Sequence, residues 1–148
     1  MRISNQCSMA LHTLVLLEIM KDKKLTSERI ARSVGCNPVM IRTLLGKLKE
    51  AGLVDIHRGT GGAVLRKEPK DITVWDVYHA VDPDSIKHFI GKHSHPYSQC
   101  SVGQQIENIL EIPYEKVRKA VRQAMAETTL EDMVEACRRG MELEPEKE

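Results

Sequence analysis

Three groups of residues in this 148-residue chain could do chemistry. The first is the set of four cysteines, Cys7, Cys36, Cys100 and Cys137, which could serve as nucleophiles, redox switches or metal ligands. The second lies in the irregular stretch 82–100, where His88, His93 and His95 precede Cys100 and His93-x-His95-x4-Cys100 offers imidazole and thiolate donors. The third runs from Thr26 to Arg58 and consists of short hydroxyls, an amide and cations: Thr26, Ser27, Asn37, Arg42, Thr43, Lys47, Lys49 and Arg58. The first two groups are incomplete. No two cysteines form a CxxC pair, and scattered thiols in a chain expected to be cytoplasmic point to free cysteines rather than a disulfide framework. Zinc would need a fourth ligand and a fixed geometry. No phosphate-binding loop, zinc-protease motif or nucleophile with base and orienter is present, so the chain does not read as an enzyme. The third group matches the donors that meet a polyanion and the edges of bases.

Those residues need a scaffold, and the local sequence specifies one. Asn37 is a helix-capping residue, Pro38 suits the first helical position, and Gly52 suits a left-handed stop. Between them Ile41, Leu44, Leu45 and Leu48 fall at i, i+3, i+4 and i+7, which makes one face apolar. The opposite face carries Val39, Arg42, Thr43, Gly46, Lys47 and Lys49. A shorter helix capped by Thr26 or Ser27 precedes it, with Ile30, Ala31 and Val34 facing inward and Gly35-Cys36 as the turn. Two helices joined by such a turn predict a helix-turn-helix, behind a first helix over Ser4 to Met20. After Gly52 the period changes. Leu53–His57 and Ala63–Arg66 read as two strands around Gly59-Thr60-Gly61-Gly62, a hairpin with Arg58 at its tip. A hairpin directly after a helix-turn-helix reads as a wing, so the recognition helix spans 37–51 and the wing 54–66.

The charge is distributed to match. Residues 1–70 hold 13 Lys/Arg against 6 Asp/Glu, and residues 71–148 hold 9 against 15. A basic half joined to an acidic half suggests that the first half meets the polyanion. Aromatics are only 3% of the chain, so the core must be aliphatic. The longest apolar run, Leu14–Leu17, is far too short to span a membrane, and the opening residues lack the apolar core of a signal peptide, which leads us to expect a cytoplasmic protein. Further along, Thr73 caps a helix to about Val81. From Val102 a long helical pattern follows, with Pro113 expected to kink or restart it. Thr128 and Glu131 have capping-box spacing for a last helix, Leu130 to Arg139, that Gly140 should end ahead of a frayed Glu-rich tail.

From Leu25 to about Asp82 the sequence resembles the Rrf-two family of bacterial winged-helix transcription regulators. The resemblance rests on Ile30-Ala31, Leu44-Leu45-Gly46-Lys47-Leu48, Ala51-Gly52-Leu53-Val54, Arg58-Gly59 with Gly61-Gly62, and Ile72-Thr73-Val74-Trp75-Asp76-Val77. Met1-Arg2-Ile3-Ser4 is similar too, and weaker similarity extends to Asp132. It implies a mostly α fold with a small β-hairpin wing: a winged helix-turn-helix DNA-binding domain over 1–82, then a sensor loop and dimerisation helices over 83–148. It also implies a homodimeric regulator, expected to be a repressor, that reads a pseudo-palindromic site on double-stranded DNA. The long C-terminal helix, 102–127, would build the dimer.

On that reading Val39, Met40, Arg42 and Thr43 are the base-reading edge. Thr26, Ser27, Asn37, Lys47 and Lys49 contact phosphates, and Arg58 reaches the minor groove. The family often has acidic or amide residues where Arg42 and Thr43 stand, so a different operator is expected. Ala63 and Val64 also depart from the family's commonest wing pattern, glycine and an aromatic. Cluster-binding relatives carry three cysteines in the loop after the winged helix; this chain has Cys100 alone, so no iron–sulfur cofactor is expected. Cys36, beside the recognition helix, and Cys100 are the candidate redox thiols. The competing reading is a winged helix that binds a protein partner without specific DNA contact.

Overall fold

The computed structural model describes residues 4–59 and 62–143. The elements follow as α1 (Asn5–Ile19), α2 (Ser27–Val34), α3 (Pro38–Glu50), β1 (Val54–His57), β2 (Gly62–Leu65), α4 (Val74–Val81), α5 (Ser101–Glu127) and α6 (Leu130–Leu143). Short 3-10 turns lie at Pro69–Asp71 and Ser85–His88.

Side-chain caps set the starts of the first three helices. The hydroxyl of Ser4 accepts from the Gln6 N–H, that of Thr26 from Arg29, and the Asn37 amide oxygen from Met40 at 2.8 Å. Each satisfies one donor that a helix leaves orphaned at its first turn. Gly52 takes φ +76°, which lets the Leu53 N–H return to the Leu48 carbonyl at 2.9 Å and closes α3. Ile41, Leu44, Leu45 and Leu48 are all buried, as their spacing requires. They join Ala10, Leu14 and Leu17 of α1 and Ile30 and Ala31 of α2 in one aliphatic core.

The hairpin is antiparallel, with Val54 opposite Leu65 and Ile56 opposite Ala63. Val54, Ala63 and Leu65 pack toward the core on one face, Ile56 lies on that same face but is more exposed, and Val64 is on the opposite, outward face. A one-residue slip would reverse this, so burial fixes the register. Gly62, at φ +70°, lies so close to the segment before α2 that a Cβ there would stand 2.9 Å from the Leu25 carbonyl oxygen.

The C-terminal half returns to this core. Thr73 and Asp76 form a reciprocal capping box at the start of α4. A second box opens α6 between Thr129 and Asp132, one residue beyond the expected Thr128 and Glu131. The shift has a cause in the backbone. The Val74 N–H donates to the Thr128 carbonyl at 2.9 Å and the Leu130 N–H to the Ile72 carbonyl at 2.7 Å, so Thr129 is pinned opposite Thr73. Leu130 and Val134 are then buried with α1, and the core does not stop at Asp82.

Two other expectations are corrected. The helix is not restarted at Pro113: α5 runs unbroken from Ser101 to Glu127. Pro113 is exposed, as is Ile109 four residues earlier, so water can meet the carbonyl that the proline leaves unbonded. Gly140 does not end α6 either, because it keeps a negative φ and the helix continues to Leu143. Residues 144–148 of the Glu-rich tail lie outside the described residues.

The stretch between α4 and α5 is anchored by Ile86 and Phe89, both buried. The Lys92 ammonium pairs with Glu111 on α5, and the buried Arg118 pairs with Glu111 and with Glu115 (3.0 Å). The outer surface of α5 is different. Val102, Ile109, Ile112 and Val117 are exposed, Ile112 at 76%.

Candidate nucleic-acid interface

The outward face of α3 presents Val39, Arg42 and Thr43 together, with Val39 at 63% exposure. They are displayed because the opposite face is locked into the core by four buried aliphatic side chains. The Thr43 hydroxyl donates to the Val39 carbonyl at 3.0 Å, which leaves its oxygen able to accept. The Arg42 guanidinium lies 3.5 Å from a carboxylate oxygen of Glu28 on α2.

Between α2, α3 and the wing lies a cleft of about 460 Å³. Ser27, Glu28, Arg42, His57 and Arg58 line it, so the arginines of the recognition helix and of the wing share one concavity. Arg58 is exposed on the turn leaving β1. The hairpin tip itself, Thr60 and Gly61, lies outside the described residues. Thr26 and Asn37 are exposed, but each spends an oxygen on a helix cap. The Asn37 amide N–H groups and the Thr26 hydroxyl proton remain free to donate.

Two residues expected here point elsewhere. Met40 is half-buried and packs against the core rather than standing at the reading edge. It sits between Val39, which faces out, and Ile41, which is fully buried, and its flexible apolar side chain follows Ile41. Lys47 is not placed for a phosphate contact. Its ammonium donates to the Gln6 side-chain oxygen at 3.1 Å and to the Val81 carbonyl at 3.0 Å. It lies between the buried Leu44 and Leu48 at the boundary of the apolar face, so its alkyl stem follows the core. The cation then meets a carbonyl in the last turn of α4, where helices lack hydrogen-bond partners and favour positive charge. Lys49 is exposed and stays outward. Glu28 and Gln6 were not singled out from the sequence. Glu28 had one signal, its place in the first turn of the helix that precedes the recognition helix.

The thiols are dispersed. Cys7 is buried in α1, and its pKa is pushed up to about 11 by burial and by the nearby Asp82 carboxylate. Cys36 is half-buried against the core beside Asn37, Cys100 is exposed just before α5, and Cys137 is on α6. Among the described residues no three His, Cys, Asp or Glu side chains converge to hold a metal ion. His88, His93 and His95 are exposed and do not gather with Cys100 into a ligand set. The four cysteines are thus dispersed, whereas an iron–sulfur cluster needs several thiolates at one point.

A helix-turn-helix followed by a wing, with arginines presented from both, defines a winged-helix DNA-binding protein. The chain belongs to the Rrf2 (Rrf-two) family: that family's sequence profile, described as an iron-dependent transcriptional regulator, matches residues 3–136. It is 35% identical over 132 residues to YwnA of Bacillus subtilis, assigned as an HTH-type transcriptional regulator, across 89% of this chain and 96% of that one. The crystal structure of a protein described as DNA-binding superposes with a TM-score of 0.70 at 35% identity, covering 86% of this chain and 97% of the other. A transcriptional regulator from Lactobacillus plantarum superposes with a TM-score of 0.73 at 27% identity, covering 87% of each chain. The protein is thus a DNA-binding transcription regulator and not an enzyme. No described helix is long and apolar enough to cross a membrane.

Proposed function

We propose that this chain is a homodimeric repressor that reads a pseudo-palindromic operator without an iron–sulfur cluster. One observation carries the reading: Val39, Arg42 and Thr43 stand together on the exposed face of α3, beside a cleft that also holds Arg58. Arg42 offers the bidentate donors that pair with guanine O6 and N7, and the Thr43 methyl suits a thymine methyl. Asn37, Thr26, Ser27 and Lys49 position the helix on phosphates, and Arg58 follows the wing toward the minor groove. The exposed Val102, Ile109, Ile112 and Val117 support the dimer, since a two-fold pairing of α5 would cover them. Dispersed cysteines support regulation by something other than a cluster, and a bulky adduct on Cys36 would press on the start of α3.

The test has two arms. Operators are selected from a randomised duplex library and affinities measured by fluorescence anisotropy. Arg42→Ala should remove about 1–3 kcal/mol of discrimination at a guanine. In sedimentation velocity the wild type should be a dimer and Ile109→Asp/Ile112→Asp a monomer. Weak, salt-insensitive duplex binding would favour the protein-interaction reading instead.

A further inference from the structure

We propose that Glu28 is a specificity-determining residue that buttresses Arg42; the inference rests on Arg42 reading a base. Glu28 stands in the first turn of α2, fourteen positions before Arg42 in sequence, and reaches it across the helix-turn-helix. The contact joins Glu28 Oε1 to Arg42 Nη1 at 3.5 Å. Glu28 is also the one carboxylate among the described residues that line the cleft shared by Arg42 and Arg58. Both partners are more than half exposed, so the pair lies on the surface that faces DNA and not in the core.

A guanidinium has five N–H donors in a planar fork, and guanine O6 and N7 use two of them. A carboxylate on one of the others fixes the plane and direction of the fork before DNA arrives. Less side-chain freedom is then lost on binding, and the arginine is less able to turn to a phosphate. The carboxylate has a second effect. It faces a polyanion and repels every duplex equally. Glu28 therefore raises the contrast between operator and random DNA by the first effect, helping the correct contact, while the second lowers affinity for both duplexes alike.

The experiment uses the full chain, an operator selected from a randomised library, and a scrambled duplex of equal length. For Glu28→Ala, operator affinity should fall about 2- to 5-fold, the range of an exposed ion pair, while affinity for scrambled DNA rises. Glu28→Gln keeps an acceptor oxygen and should retain part of the operator affinity while showing the same rise on scrambled DNA. In an Arg42→Ala background, Glu28→Ala should no longer change operator discrimination. Circular dichroism melts should match, since Glu28 is exposed. If Arg42→Ala reduces discrimination and Glu28→Ala does not, the buttress is refuted and the reading of α3 stands. If Arg42→Ala has no effect on discrimination, both fail.

Discussion

Replacing Lys47 by methionine separates a folding role from a DNA-contact role. Methionine keeps an unbranched apolar stem and removes the three donors. Two hydrogen bonds are lost, to the Gln6 side chain and to the Val81 carbonyl. Gln6 is half-exposed and can turn to water, so its loss costs little. Val81 is buried, and its carbonyl would lose a charged donor. Hydrogen bonds to charged groups contribute about 1.5–3 kcal/mol, which sets the expected loss near 2 kcal/mol. For a chain of this size that is a drop of about 4–8 °C in Tm. DNA binding measured at several salt concentrations should keep its slope, because no phosphate contact disappears. The control is Lys49→Ala, at an exposed position on the same helix, which should lower the slope of log K against log salt by about 0.9. The reasoning is refuted if Lys47→Met melts like the wild type and flattens the salt dependence by a full contact.

Two further substitutions probe the support of the interface. Gly62→Ala places a methyl group 2.9 Å from the Leu25 carbonyl oxygen at a residue with φ +70°, so stability should fall by more than about 1 kcal/mol and operator affinity with it; equal melting curves would show that the wing is not braced there. Cys7 binds its proton up to about pH 11 when folded, against 9.0 for the unperturbed thiol, so its burial contributes fully below pH 9 and is lost as pH rises from there toward 11. That shift corresponds to up to about 3 kcal/mol, and Cys7→Ala should show a correspondingly shallower decline in urea-melt stability over this range; parallel declines would refute it.

Much of the fold was legible because several levels of the sequence agree. Around α3 the cap at Asn37, the apolar spacing from Ile41 to Leu48 and the stop at Gly52 all specify the same helix, and the glycines before and after it specify its turns. Val39, Arg42 and Thr43 followed as its outer face. Lys47 was not legible. A helical wheel puts it at the edge of the polar side, and only the packing of α4 beside α3 supplies the Val81 carbonyl that draws its ammonium inward. Met40 failed for the same reason, since a residue at the boundary of two faces goes where tertiary space allows. The Glu28–Arg42 pair depends on the angle between α2 and α3, which spacing within either helix does not encode.

The start of α6 shows how a local signal can be right in kind and displaced in place. Thr128-Thr129 offers two hydroxyl caps, and Glu131-Asp132 offers two carboxylates three residues on. Either pair could close a box. Propensity cannot choose between them, but the bridge to Thr73 can. With Leu130 N–H bonded to Ile72 O, and Val74 N–H bonded to Thr128 O, Thr128 remains extended backbone and Thr129 becomes the cap. The hydrogen bond from the Thr129 backbone N–H, then that with its side chain, holds the Asp132 carboxyl below the usual aspartate range. The same bridge makes the caps of α4 and α6 neighbours, one opening the last helix of the first half and the other the last helix of the chain. Leu130 and Val134 are thereby delivered to the core beneath α1, whose N-terminal Gln6 shares Lys47 with the end of α4. The recognition helix is consequently held from behind by both halves of the chain.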